Sequence, residues 1–347
     1  MDWSKFIKGY RQNQYLIKYD FKKVKNTKLL SEYISRTCKS NDKQWLFDMC
    51  QQYHSIPKKI SYKPILGPIS LNYLTSKYYP HRILILGDMH NKDRICKSPG
   101  LAVDEFIHQI VAQTYNFIDI FLEIPYYYNR EEDQKYYSDN AFKNSYLTQT
   151  MKSFRVCNNR IKERCNLSRC RVHFADLRSY VTQQEFEFIY GPNILNLSLN
   201  QLYRSLYSHP NIRYQKLYKQ IEAIPNKKLQ AGMKKAYEVC VESDFEVLAE
   251  LIQKSKRGPE VNRDIKSRGL KPYMDIYLLA RILRNFKKKG NEYCQSAYNS
   301  IVYVGDQHAQ FYLYVLQNLG WQIEYSSKSG NNNECLLLEE IKKPFFV

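Results

Sequence analysis

Two tetrapeptides of the chain share one pattern, Gly-Asp-x-His: Gly87-Asp88-Met89-His90 and Gly305-Asp306-Gln307-His308. With 12 glycines and 7 histidines in 347 residues, chance supplies about 0.24 Gly-x-x-His per chain, so a single copy carries little weight. Two copies carry more, because each has Asp second and each directly follows a short apolar run. Neutral imidazole ligates zinc, manganese or iron and carboxylate suits harder ions, so the pattern offers metal ligands or acid–base groups. Glu123 ends another apolar run, and Asp176 with Arg178 ends a further one. Gathered at one rim, two histidines, up to four carboxylates and an arginine would form a metal or general acid–base site. Each also has a plain structural reading. Asp88 and Asp306 would cap turns while His90 and His308 bond neighbouring backbone. Glu123 would be a solvated strand end, and Asp176 with Arg178 a salt bridge.

Those side chains meet only if parallel strands lie beneath them. Arg82-Ile83-Leu84-Ile85-Leu86 has the length and composition of a buried strand and stops at Gly87, where glycine permits a sharp turn. Ser98-Pro99 reads as a helix start, and beyond it Val103, Phe106, Ile107, Ile110, Val111 and Phe117 recur mostly at helical spacing. Ile118 to Leu122, closed by Pro125, is a second strand, and Val172-His173-Phe174-Ala175 a third. Strand, helix, strand at this spacing predicts a parallel α/β core, whose ligands collect beyond the carboxyl ends of the strands.

Upstream, Pro57, Pro64, Gly67 and Pro68 punctuate a loop-rich stretch. Downstream, Thr182 to Gly290 reads mostly helical, with its clearest stripe at Ile276, Leu279, Ile282, Leu283 and Phe286. Within it Lys254 to Lys271, charged and holding Gly258-Pro259, predicts an exposed loop or hinge. Ile301 to Val304 returns to a strand, Phe311 to Leu319 forms a helix stopped by Gly320, and Trp321–Tyr325 and Cys335–Leu338 read as two more strands. The expected fold is α/β, a mostly parallel central sheet flanked by helices. A mainly helical N-terminal extension fills 1–80, the first half of the core 81–180, a helical insertion 181–295, and the second half of the core 296–347.

The chain carries a net charge of +19, with 44% hydrophobic and 25% charged residues, which excludes wholesale disorder. Such a charge attracts nucleic acid or another polyanion, and tyrosines interleaved with lysines could stack on single-stranded bases. Candidate patches are Lys22-Lys23, Lys58-Lys59, Arg155 to Arg171 and Lys287 to Lys289, although charge runs are more often solvated faces and no RNA-recognition or helix-turn-helix signature is present. No apolar run is long enough to span a bilayer, so no membrane span is expected. Nine scattered cysteines without a secretory signal predict reduced thiols in a cytoplasmic protein. Cys157, Cys165, Cys170 and His173 offer four zinc ligands, but without a Cys-x-x-Cys knuckle, and His173 in an apolar strand is more simply a core histidine.

At the Gly-Asp-x-His residues the sequence resembles the Tiki/TraB/GumN family, within the broader erythromycin-esterase/ChaN-like fold. The family pattern is a strand ending in Gly-x-x-His, a glutamate ending the next strand, and a late Gly-x-x-His followed by a helix and an LGY or LGW strand entry. Here it is matched by Gly87 to His90, Phe121-Leu122-Glu123, and Gly305 to His308 leading to Leu319-Gly320-Trp321, over about 81–180 and 296–325. The resemblance implies a metal-dependent hydrolase, peptidase- or esterase-like, with His90, His308 and Glu123 central and a divalent ion such as Mn, Zn or Co. Asp88 and Asp306 would be ligands or orienting groups, and Arg178 a polarising or substrate-binding group beside Asp176. Secreted and anchored members carry signals or spans that this sequence lacks, which tells against an extracellular peptide substrate. Richness in Lys and Tyr is a habit of AT-rich genomes, giant DNA viruses among them, which would place the chain in the host cytoplasm or the virion. Ile85 to Asn91 also looks like the first motif of calcineurin-like metallophosphoesterases, but that family's Gly-Asp-x-x-Asp and Asn-His motifs are missing.

Overall fold

The computed structural model describes residues 63–89, 99–114, 116–125, 145–157, 170–176, 215–254, 259–286, 297–330, 335–338 and 345–346. His90, Arg178, Cys165, the first 62 residues and the lysine patches at 22–23, 58–59 and 287–289 lie outside these residues. The strands are β1 (Ile65–Leu66), β2 (Pro68–Thr75), β3 (Arg82–Asp88), β4 (Leu101–Ala102), β5 (Ile118–Pro125), β6 (Cys170–Asp176), β7 (Asn299–Gly305), β8 (Gln322–Lys328) and β9 (Cys335–Leu336). The helices are α1 (Val103–Gln113), α2 (Tyr146–Phe154), α3 (Gln215–Glu222), α4 (Lys227–Lys254), α5 (Pro259–Leu283) and α6 (Asp306–Asn318).

Six strands form the main sheet in the order β6-β5-β7-β3-β2-β8, and β4-β1-β9 form a small second one. β6, β5, β7 and β3 are parallel, and β2 is antiparallel to both of its neighbours. The chain is therefore α/β with a mostly parallel sheet, as its sequence predicts. β7 comes late in sequence yet sits between β5 and β3. Its register sets Gly305 beside Asp88, so the two Gly-Asp motifs end neighbouring strands.

The central strands are apolar on both sides because both faces are covered. Ile83, Ile85, Phe121, Ala175, Val302 and Val304 pack toward α3, α4, α5 and α6. Leu84, Leu86, Ile120, Leu122, Ile301 and Tyr303 pack toward α1 and α2. Each fully buried Leu or Ile contributes roughly 1.5–3 kcal/mol, so the strand ends that carry the candidate residues rest on a rigid base. The alternation matters for function, since neighbours along one strand are committed to opposite faces.

Several expectations need correction. The boundary at residue 80 falls inside the sheet, because β2 pairs with both β3 and β8. Ile69, Leu71 and Tyr73 alternate with Ser70 and Asn72, a period of two beneath the punctuating prolines. The helix expected after Ser98-Pro99 starts only at Val103, because Leu101–Ala102 first pairs in parallel with β1. The expected loop over Lys254–Lys271 is helical from Pro259 onward. Pro259 occupies the first helical position, where its missing N–H costs nothing, so it marks a helix start. Gly320 does stop α6: at φ +105° it lets Trp321 N–H reach Leu316 O at 3.0 Å and its own N–H reach Gln317 O at 3.0 Å.

Cys157 and Cys335 each take part in a disulfide, against the expectation of reduced thiols, while Cys170 and Cys240 are free. Pairing depends on Cα atoms a few ångströms apart, which linear spacing does not reveal. No helix among the described residues is long and apolar enough to cross a membrane.

Candidate functional site

Glu123 follows Asp119 and Phe121 along the face of β5 that looks toward the helical insertion, where Phe121 packs. Beside it β7 runs into α6 with no intervening loop, and Gly305 is both the last strand residue and the helix N-cap. Gly305 N–H donates to Glu123 Oε2 at 2.6 Å, which pins the carboxylate at the first turn of α6. A helix N-terminus favours that negative charge. His308 turns inward one step further along α6. Its Nε2 lies 3.2 Å from Glu123 Oε1, and its Nδ1 lies 2.5 Å from Asp275 Oδ1. Tyr312 Oη, one turn on, donates to the same Asp275 oxygen at 2.9 Å. Glu123, Asp275 and His308 are all buried.

An imidazole between two carboxylates is strongly biased toward its charged form. Burial alone would lower the His308 pKa, but hydrogen bonds and charge from Asp275 and Glu123 outweigh it and raise the group to about 9. Burial pushes the Asp275 carboxyl above its ordinary range, opposed by His308 and Tyr312. His308 therefore carries a proton at neutral pH, with Nδ1–H directed at Asp275 and Nε2–H at Glu123.

Of the residues singled out in the sequence, Glu123 and His308 come together. Asp88 ends the strand next to Gly305 but points to the other face, where it accepts from Tyr303 Oη at 3.1 Å. Asp306 stands on the other side of α6 from His308. It accepts from Ser70 Oγ at 2.5 Å and from Gln310 Nε2 at 3.4 Å, two residues that line a cleft of about 380 Å³ between α6 and strands β2 and β8. Asp176 ends β6 opposite Pro125 and is buried. Sequence reading missed Asp275 and Tyr312. The available signal was a lone carboxylate among Tyr273, Met274, Ile276 and Tyr277 on an apolar helix.

Gly87 is the tightest point of the duplicated motif. A Cβ there would meet Asp306 Oδ1 and Ser70 Oγ at 2.4 Å and the Asp306 Cα at 3.0 Å. Gly87→Ala is expected to cost about 1–3 kcal/mol by overpacking, read as a lower urea midpoint, because the backbone of α6 cannot yield as a flexible side chain does. An unchanged midpoint would mean that the start of α6 moves freely on the sheet.

A second polar cluster lies at the opposite, amino ends of β5 and β6. Asp119 Oδ1 is 2.5 Å from Arg171 Nε and 2.7 Å from His173 Nε2, while Arg281 donates to His173 Nδ1 at 3.0 Å. Burial lowers the His173 pKa to about 3, so the ring is neutral, and it stacks between Phe121 and Phe286. It is a hydrogen-bonded core histidine. With Cys157 in a disulfide and burial pushing the Cys170 thiol up, the zinc alternative at these residues loses two thiolates.

Among the described residues no group of three or more His, Cys, Asp and Glu is arranged to hold a metal ion. Glu123 Oε1 and His308 Nε2 supply two converging donors, and His90 lies outside those residues. Compared with protein-family models, curated proteins and solved structures, the chain matches none.

Proposed function

We propose that the chain is a metal-dependent hydrolase of peptidase or esterase type, of Tiki/TraB/GumN kinship, working at Glu123 and His308. The observation that carries this reading is the Asp275–His308–Glu123 chain at the carboxyl ends of the parallel strands. A carboxylate on Nδ1 fixes the tautomer and orientation of a ligating or proton-transferring imidazole and raises its basicity. The working atom is then Nε2, and it faces Glu123 Oε1, while Glu123 Oε2 accepts from Gly305 N–H. His308 and Glu123, with His90 as a further donor from the matching motif, would hold a divalent ion, and such an ion would supply a water of lowered pKa as nucleophile. Asp275 keeps the Nδ1 proton throughout, and Gly305 N–H holds Glu123 in place. Because His308 is protonated without metal, loading an ion at neutral pH should release a proton.

The raised His308 pKa also favours a second reading. An imidazolium beside a carboxylate is a general acid and base pair that needs no ion. Metal content of the purified chain by mass spectrometry, with hydrolysis of a peptide, ester and phosphoester panel, separates the two. Wild type is expected to hold about one ion per chain, while His308→Gln and Glu123→Gln lose it and drop turnover about 10²–10⁴-fold. Asp275→Asn, which disturbs only the orienting group, should lose about 10–100-fold in metal affinity or rate. Turnover that survives a chelator would transfer the chemistry to the acid–base pair. Full metal retention in both ligand variants would end the shared-site reading.

A further inference from the structure

We propose that a phosphate group docks against Arg281 and Arg284 at the carboxyl end of α5, at the opposite end of the strands from Glu123. Three guanidinium groups surround one phenyl ring there. The Cζ atoms of Arg171, Arg281 and Arg284 lie 4.5, 5.1 and 5.2 Å from the Phe286 centroid. Among the described residues one carboxylate serves the cluster, and its Oδ1 is engaged: Asp119 Oδ1 accepts from Arg171 Nε and His173 Nε2. His173 adds no charge, because Arg281 occupies its Nδ1 and its Nε2–H goes to Asp119.

Arg281 and Arg284 are left with two positive charges and no carboxylate within ion-pair distance among the described residues. Their contacts are neutral. Arg281 reaches Tyr277 Oη at 3.3 Å, and its buried Nε has no acceptor among the described residues. Arg284 donates to Gln220 Oε1 at 2.5 Å and to Asn285 O at 2.9 Å. Burial, and after it the charge of Arg281, pull the Arg284 pKa below its ordinary range. The carboxyl end of a helix attracts cations, but with only about half an elementary charge. Two half-buried guanidinium groups exceed that, and a phosphate dianion matches the surplus. The planar forks suit phosphate oxygens, which accept two parallel N–H bonds from one arginine. The site stands independently of the hydrolase reading.

The group could belong to a small phosphate or to a nucleic-acid backbone, so two probes are needed. Inorganic pyrophosphate is titrated by calorimetry, and a single-stranded oligonucleotide by fluorescence anisotropy over a salt series. Arg284→Gln should weaken the bound probe about tenfold or more, as should Arg281→Gln/Arg284→Gln, while Lys328→Gln on the far edge strand changes it less than about twofold. Without ligand, Arg284→Gln should melt no lower than wild type, because one of two repelling charges is gone; this single variant decides if the double one fails to fold. Pyrophosphate binding would assign a small phosphate ligand. Oligonucleotide binding alone, with a log K against log salt slope reduced by about 1 in Arg284→Gln, would assign a polynucleotide backbone. Binding of neither probe, or equal losses in Arg284→Gln and Lys328→Gln, would overturn the site and leave only bulk charge.

Discussion

An Asp119→Ala chain is expected to lose about 3–5 kcal/mol of stability, the usual cost of removing one partner from a buried ion pair. That is a large part of the roughly 5–15 kcal/mol that separates folded from unfolded domains. Asp119 is fully buried on β5, and Arg171, 2% exposed, points its Nε at the same oxygen that receives His173. Burial by itself would push the Asp119 carboxyl up, but Arg171 and His173 pull it below its ordinary range, so the group is ionised in the fold. The truncation removes the carboxylate and leaves a buried guanidinium whose charge water cannot reach. Asp119→Asn keeps an acceptor and should cost less. Urea denaturation of both variants beside wild type makes the comparison. A loss under about 1 kcal/mol for Asp119→Ala would mean that another group meets the Arg171 charge.

The parallel core was legible because its signals are local. A run such as Ile83-Leu84-Ile85-Leu86 ending in glycine reads as a buried strand, as does the matching run at Ile301 to Val304, whereas their pairing, which sets Gly305 beside Asp88, is a long-range fact that neither run encodes. Glu123 and His308 were legible for the same reason, as they stand one and four residues past the runs that end at Leu122 and Val304. Asp275 was not, because its role depends on which face of α5 meets α6, a long-range fact that no spacing in α5 encodes. Asp88 shows the converse limit. Its motif copies that of Asp306, yet strand alternation delivers it to Tyr303 on one face while α6 carries Asp306 to Ser70 on the other. β2 was hidden by the prolines and glycine at its entry, although its period-two pattern was intact. Asp119 was passed over inside an apolar run, where an ionised side chain is tolerated only when strands brought from elsewhere supply its partners.

Stability should peak near neutral pH and fall on both sides, for opposite reasons at different histidines. On the acid side the groups are His81 and His173, which burial lowers from 6.5 to about 4 and about 3, Asp119 partly opposing the shift at His173. His81 packs beside Trp321 and Tyr298, and neither ring nitrogen has a hydrogen-bond partner among the described residues. As pH falls below about 6.5 the unfolded chain takes up protons that the folded chain refuses, so stability present above that pH is lost toward the folded values. For His81 alone the gap is worth on the order of 3 kcal/mol. On the alkaline side the group is His308, raised to about 9. Its contribution is complete below about 6.5 and is lost as pH rises through about 9, again on the order of 3 kcal/mol in metal-free protein. Urea midpoints from pH 4 to 9.5 in the presence of a chelator should trace both limbs. His81→Phe should make the acid limb shallower, with the His173 share remaining, and leave the alkaline limb, whereas His308→Gln should remove the alkaline limb and leave the acid one. An alkaline limb that persists in His308→Gln would place the proton elsewhere. One that disappears on adding a divalent ion would put that ion on Nε2 in the proton's stead, because a bound cation satisfies Glu123 at any pH.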